Sequence, residues 1–141
     1  MPAKDKIHDM VRRALINDGW IITAEQSQIR LSEAAHLYGF IDILAEQVIS
    51  AERAGRKIAV EVKSFLGDSP SSEFMEAVGQ YQTYRVWFAD IEPERELWLA
   101  ISTHAADDIF TDEAAQKVVR TLAIQIVEID LQTERIRAWH P

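Results

Sequence analysis

Apolar residues at Ile7, Met10, Val11, Ala14 and Leu15 repeat at i, i+3, i+4, i+7 and i+8. This predicts an amphipathic helix over 5–18, with Gly19 as its C-terminal stop. The short apolar run Trp20-Ile21-Ile22-Thr23 predicts a first strand. Residues 24–38 are polar and weakly patterned and read as a loop, with a helical turn around Leu31 to Leu37. Apolar character resumes at Phe40, continues through Gln47-Val48-Ile49-Ser50 and breaks at Ala54-Gly55-Arg56-Lys57. That pattern predicts a long, bulged second strand, a turn near Gly55 and a third strand over 57–64, forming an antiparallel hairpin. A short helix over 46–54 is the competing reading.

Gly67-Asp68-Ser69-Pro70 is turn punctuation. Ser71 or Ser72 is then placed to cap a helix that runs to about Ala89, with Glu73 in its first turn. Phe74, Ala77, Val78, Tyr81, Tyr84 and Phe88 fall on one face of that helix. A turn around Pro93 leads to a fourth strand over 96–103. A helix follows over 111–122, then a strand over 124–129. A last strand over 134–139 either pairs with its predecessor or packs as a tail. The order α-β-β-β-α-β-α-β-β describes one α/β domain over 1–141, with helices flanking a mixed sheet. The long helix between the third and fourth strands predicts that these two pair in parallel, because such a crossover needs a helix.

Composition narrows the class. With 48% hydrophobic and 27% charged residues the chain is an ordinary globular one. It has no cysteine, which excludes disulfides and thiolate metal sites. There is no apolar run of bilayer-spanning length, and Met1 to Lys6 lacks a signal-peptide pattern. The expectation is a cytoplasmic protein with no membrane association. The net charge of −8 argues against a broad nucleic-acid-binding surface. Eight acids (Asp90, Glu92, Glu94, Glu96, Asp107, Asp108, Asp112 and Glu113) stand against Arg95 alone between Phe88 and Glu113. That sector reads as a solvated acidic face. The remainder of the chain is close to neutral, so a sector that includes Lys4, Lys6, Arg12 and Arg13 could approach DNA.

Candidate chemistry gathers in the predicted hairpin. Ile58-Ala59-Val60-Glu61-Val62-Lys63 places an acid and a lysine two apart in an apolar run, so both point to one face while Val60 and Val62 point to the other. Ionised side chains in such a run call for a partner. Asp42, in Gly39-Phe40-Ile41-Asp42-Ile43-Leu44, is a second lone acid among apolar neighbours. Asp42 and Glu61 are hard oxygen donors suited to Mg²⁺ or Mn²⁺, with the Val62 carbonyl as a further ligand. Lys63 beside such an ion could position a water or stabilise charge on a phosphate, which points to phosphodiester hydrolysis. A buried structural ion pair is the competing reading.

Gly39-Phe40-Ile41-Asp42 followed by Glu61-Val62-Lys63 resembles the signature of the PD-(D/E)xK nuclease superfamily, and Gln80-Tyr81-Gln82-Thr83-Tyr84 resembles the Q-x3-Y motif of its RecB-like members. That resemblance implies a restriction-endonuclease-like fold, with Asp42, Glu61, Lys63 and Gln80 in the catalytic set and Tyr84 supporting it. It also implies a supporting role for His8 or Asp9 on the first helix. A surface position on that helix is the alternative for both.

A narrower match lies in Met1-Pro2-Ala3-Lys4-Asp5, Asp18-Gly19-Trp20, Ala51-Glu52-Arg53 and Ile58 to Gly67, and in Phe74, Ala77, Gly79-Gln80-Tyr81 and Tyr84-Arg85. These residues look like the XisH family. The match is strong from Gly55 to Arg85 and weak between Ser27 and Leu37 and near the C-terminus. This resemblance implies a cyanobacterial factor that controls excision of the fdxN DNA element during heterocyst differentiation. It would act with a site-specific recombinase and a small partner, XisI.

The expected function is therefore that of a Mg²⁺-dependent DNA endonuclease-like factor in programmed genome rearrangement. The alternative is a nuclease-fold accessory factor that has lost cleavage. The tryptophans read as core or interface, Glu52 as a solvated hairpin residue, and His36, His104 and His140 carry no metal-ligand spacing. Helix faces bearing Trp or Tyr are compatible with a homodimer.

Overall fold

The computed structural model describes residues 4–25, 48–67 and 69–141. The first helix, α1 (Lys4–Asn17), buries the predicted stripe of Ile7, Val11, Ala14 and Leu15 and ends at Gly19, whose φ of +97° is the left-handed conformation glycine adopts without strain. Strand β1 (Ile21–Glu25) follows and runs two residues further than its apolar pattern indicates.

Strands β2 (Val48–Arg53) and β3 (Arg56–Val62) form the predicted antiparallel hairpin, in register from Val48 opposite Glu61 to Arg53 opposite Arg56. The competing helix over 46–54 is thereby excluded for 48–53. Residues 48–51 are all buried, and a hydrophobic run buried on both faces loses the alternation that marks a strand. Ala54 and Gly55 turn the hairpin with φ of 50° and 81°, the pattern of a two-residue loop whose twist matches the strands.

Helix α2 spans Pro70–Ile91. Its cap is Ser69, not Ser71 or Ser72: the Ser69 hydroxyl accepts from Ser72 N, and Pro70 takes the first helical position, where a missing N–H costs nothing. Strand β4 (Glu96–Ser102) pairs with β3 in parallel, as the crossover helix requires. A short helix the sequence pattern does not show, α3 (Thr103–Asp108), then begins at once, with the Ser102 hydroxyl accepting from Ala105 N at 3.0 Å. Helix α4 (Glu113–Thr121) starts under an Asp112 cap, and β5 (Ile126–Asp130) pairs parallel to β4. The last strand, β6 (Arg135–His140), pairs antiparallel with β5, which settles the choice between strand and tail.

The six strands of the described residues form one mixed sheet in the order β1-β2-β3-β4-β5-β6. Its faces carry separate cores. On one face α1 packs with Ile49, Ala51, Ile58, Val60, Val62, Trp98 and Ala100. On the other, Ala77, Tyr81, Tyr84 and Phe88 of α2 pack with Val48, Ala59, Leu97, Leu99 and Ile101. The period-two alternation of β3 is thus realised, with Ile58, Val60 and Val62 facing α1, and Ala59 and Glu61 facing α2. No described helix is long and apolar enough to cross a membrane.

Candidate active site

Glu61 sits near the carboxyl end of β3, where Val48 opposes it on β2 and Leu99 on β4. Its side chain has 0% exposure, and among the described residues neither carboxylate oxygen has a hydrogen-bond partner. Burial drives its pKa well above the usual value. The Lys63 charge pulls it part of the way back, and the charge of Glu76 adds to the rise. An acid in this condition is costly unless a partner satisfies it.

Lys63 lies one residue beyond β3 and keeps the ladder going: its N–H donates to Ala100 O at 3.1 Å. Strand alternation therefore sends its side chain to the same face as Glu61. The ammonium is nearly enclosed and pairs with Glu76 on α2, Nζ to Oε1 at 3.0 Å. Two residues on, Phe65 has φ of +53°, which turns the chain away from the sheet. The turn is held by an aromatic stack: Phe65 meets Phe110 edge-on at 5.7 Å, and Phe110 meets Phe74 of α2 at 5.5 Å. A bulky residue with positive φ costs free energy, and such strain collects where a neighbouring side chain must be aimed.

Helix α2 supplies the other wall. Glu76, Gln80 and Tyr84 stand at successive four-residue steps and so share one stripe. Gln80 Nε2 donates to Glu76 Oε1 at 3.4 Å, the oxygen that Lys63 also reaches, while Gln80 Oε1 is buried without a partner. Tyr84 is fully buried, and its hydroxyl has no hydrogen-bond partner among the described residues either. Burial, and then the charge of Glu61, raise the phenol's pKa, so it stays protonated and able to donate.

The structure thus gathers Glu61, Lys63, Gln80 and Tyr84 between α2 and the carboxyl end of β3, an interior strand that pairs antiparallel with β2 and parallel with β4. Crevices at the carboxyl ends of strands are where open α/β sheets take ligands. Glu76 belongs to the group and is absent from the sequence-based set. The four-residue spacing to Gln80 and Tyr84 is the signal that finds it. Asp42 lies outside the described residues. Val62 points its side chain into the α1 core, which leaves only its backbone for a ligand. His8 is buried on α1, not at the surface, and α1 packs on the face opposite Glu61. Asp9 is exposed on the same helix, 3.9 Å from Arg12.

The residues present suit a hard divalent cation. Glu61 offers two unpartnered carboxylate oxygens in a dry setting, and oxygen donors of this kind are what Mg²⁺ and Mn²⁺ select. Among the described residues no group of three or more His, Asp or Glu side chains is disposed to hold a metal ion. Water and substrate oxygens would complete the coordination of an ion held there.

The family described as "XisH protein" matches residues 1–137. The chain belongs to the XisH family. Two crystal structures bear on the fold. An XisH family protein from Nostoc punctiforme is 34% identical, with a TM-score of 0.85 over 97% of this chain and 100% of its own. An fdxN element excision controlling factor protein from Anabaena variabilis is also 34% identical, with a TM-score of 0.86 over 98% of this chain and 100% of its own. No curated protein matches the chain. This XisH chain carries a second charged cluster on β5 and β6, at the edge of its sheet. There Glu128 is nearly buried and accepts from Arg137 and His140, while Arg137 also reaches Asp107 at 3.0 Å. Burial alone would raise the Glu128 pKa. The two hydrogen bonds outweigh it, and the carboxylate stays ionised. His140, which carries no ligand spacing in the sequence, fastens β6 to β5.

Proposed function

We propose that this XisH protein is a divalent-metal-dependent endonuclease-like factor acting in the excision of a DNA element. The observation that carries the reading is Glu61, a fully buried carboxylate with two unpartnered oxygens, facing the same way as a buried lysine on the next outward-facing position of the chain. A structural ion pair would close on itself, whereas Lys63 pairs with Glu76 and leaves Glu61 open. Excision enters from the relative whose name says that it controls excision of the fdxN element. The restriction-endonuclease-like fold is supported by the mixed six-stranded sheet, in which a hairpin carries the acid and lysine and a helix carries Gln80 and Tyr84.

In this reading Glu61 and Asp42 hold Mg²⁺ or Mn²⁺, with the Val62 carbonyl as a further oxygen. The ion, when bound, polarises a phosphoryl oxygen and lowers the pKa of water. Lys63 places its ammonium beside the phosphoryl group and offsets the charge that develops there. Gln80 donates to Glu76 beside Lys63, and the protonated Tyr84 hydroxyl stands on the same helix stripe as a donor for a bound oxygen. The phenylalanine stack holds the Lys63 turn in place.

A second reading keeps the fold and gives up cleavage: an accessory factor that works with a recombinase and a small XisI-like partner. The net charge of −8 favours it, since a free acidic protein binds DNA weakly. A nicking assay on supercoiled plasmid in Mg²⁺ and Mn²⁺ separates the two. The nuclease reading expects metal-dependent relaxation by the wild type that falls at least about a hundredfold in Asp42→Ala and Lys63→Ala. Wild-type protein that binds DNA with its proposed partner but never nicks it would leave only the accessory role.

A further inference from the structure

We propose that Glu76 guards the site: its carboxylate fills the oxyanion seat made by Lys63 and Gln80, and an incoming phosphate must displace it. Lys63 Nζ lies 3.0 Å from Glu76 Oε1, and Gln80 Nε2 lies 3.4 Å from the same oxygen. Two donors from different elements converging on one anionic oxygen is the arrangement a phosphoryl oxygen needs. The occupant and its hosts differ in burial. The Lys63 side chain is 8% exposed, whereas that of Glu76 is 54% exposed, so the acid can rotate into solvent while the cation stays fixed. The buried Gln80 Oε1 and Glu61 oxygens, without a hydrogen-bond partner among the described residues, are further signs of a centre built to take a ligand.

This inference rests on the reading of Glu61 and Lys63 as the site's chemistry, and it adds a control that the acid-lysine pair lacks. With Glu76 in place, the seat presents no free positive charge to a polyanion. A phosphodiester held against Glu61 by metal would bring its own negative charge to Lys63 and release the guard. An isolated phosphate ion could occupy the same seat, and the shared chemistry is a phosphoryl oxyanion.

The test is binding of a fluorescent DNA duplex by anisotropy, at low salt and with chelator so that no metal contributes. Glu76→Ala should bind roughly tenfold more tightly than wild type, the size expected for removing one like charge at contact in a partly screened setting. Glu113→Gln removes one acid from the exposed start of α4 and should leave affinity within about twofold. The double variant Glu76→Ala, Lys63→Met should lose the gain. Removing both members of the Lys63–Glu76 pair strands neither of them, and thermal melting confirms that it folds. No gain in Glu76→Ala, an equal gain in Glu113→Gln, or a gain that survives Lys63→Met overturns the guard. Inorganic phosphate that competes the duplex off Glu76→Ala supports a seat for any phosphoryl oxyanion, and failure to compete supports one specific to the polymer. Because no metal or cleavage is read, absence of nicking in the plasmid assay would remove the nuclease reading without touching this result.

Discussion

Glu61 is held where none of the described residues gives it a hydrogen bond, and this has a cost that pH reveals. Burial raises the carboxyl's folded-state pKa above its usual 4.5. The sign follows from linkage. A folded pKa above the unfolded one adds stability that is complete below the usual value and is lost as pH rises through the raised one. Glu61→Gln, which mimics the protonated acid, should therefore leave stability nearly unchanged at about pH 4 and raise it by about 1–3 kcal/mol at about pH 8, read by urea unfolding without metal. A loss of stability at the higher pH would mean that the ionised carboxylate is satisfied within the fold. The residue was legible in the sequence because period-two alternation puts Glu61 and Lys63 on one face whatever the rest of the fold does. Glu76 was not, because the contact that gives it meaning joins a helix to the end of a strand, and only the spacing to Gln80 hinted at it.

At the scale of elements, Tyr81 does more than fill the core. Its hydroxyl donates to Leu97 O at 2.8 Å and accepts from Gln125 N at 3.1 Å, so one side chain of α2 ties β4 to the segment entering β5. Beside it Arg85 lies over the Tyr81 ring and donates to the carbonyls of Leu122 and Ala123 at the end of α4, where a cation also favours the helix dipole. Tyr81→Phe should cost about 1–2 kcal/mol in thermal or urea unfolding, because it strands a buried carbonyl and an amide. A cost below about 0.3 kcal/mol would mean that water replaces both bonds. The long helix, the hairpin and the parallel β3–β4 pair were legible because each has a strong period or a forced connection. The cap at Ser69 was missed because Ser69, Ser71 and Ser72 all suit the role and Pro70 decides among them. Helix α3 was missed because six residues are too few to show a helical period.

At the scale of the molecule, the acid-rich sector is less bare than its sequence suggests. Glu96 makes a bidentate pair with Arg56 at 2.8 and 2.9 Å, Asp107 pairs with Arg137, Glu92 with Arg95, and Asp112 caps α4. These acids fasten hairpin, strand ends and helix together, while all of the sector's acids except Glu96 remain exposed, as the expected solvated face requires. The tryptophans fall as composition suggested: Trp98 and Trp20 are buried, and both rings meet that of Trp139 on the α1 side of the sheet. What sequence could not convey is the separation of duties between the faces, with a largely apolar core under α1 and the buried Glu61 carboxylate under α2.

The claim that joins these scales is that the buried Glu61 carboxylate exists to hold a divalent cation. Calorimetric titration of Mn²⁺ into wild type and Glu61→Gln at about neutral pH tests it most directly. Saturable binding by the wild type that weakens at least about tenfold in Glu61→Gln, with both proteins folded, is the predicted result. A wild-type protein that takes up no Mn²⁺, or one whose binding is indifferent to the substitution, would contradict it.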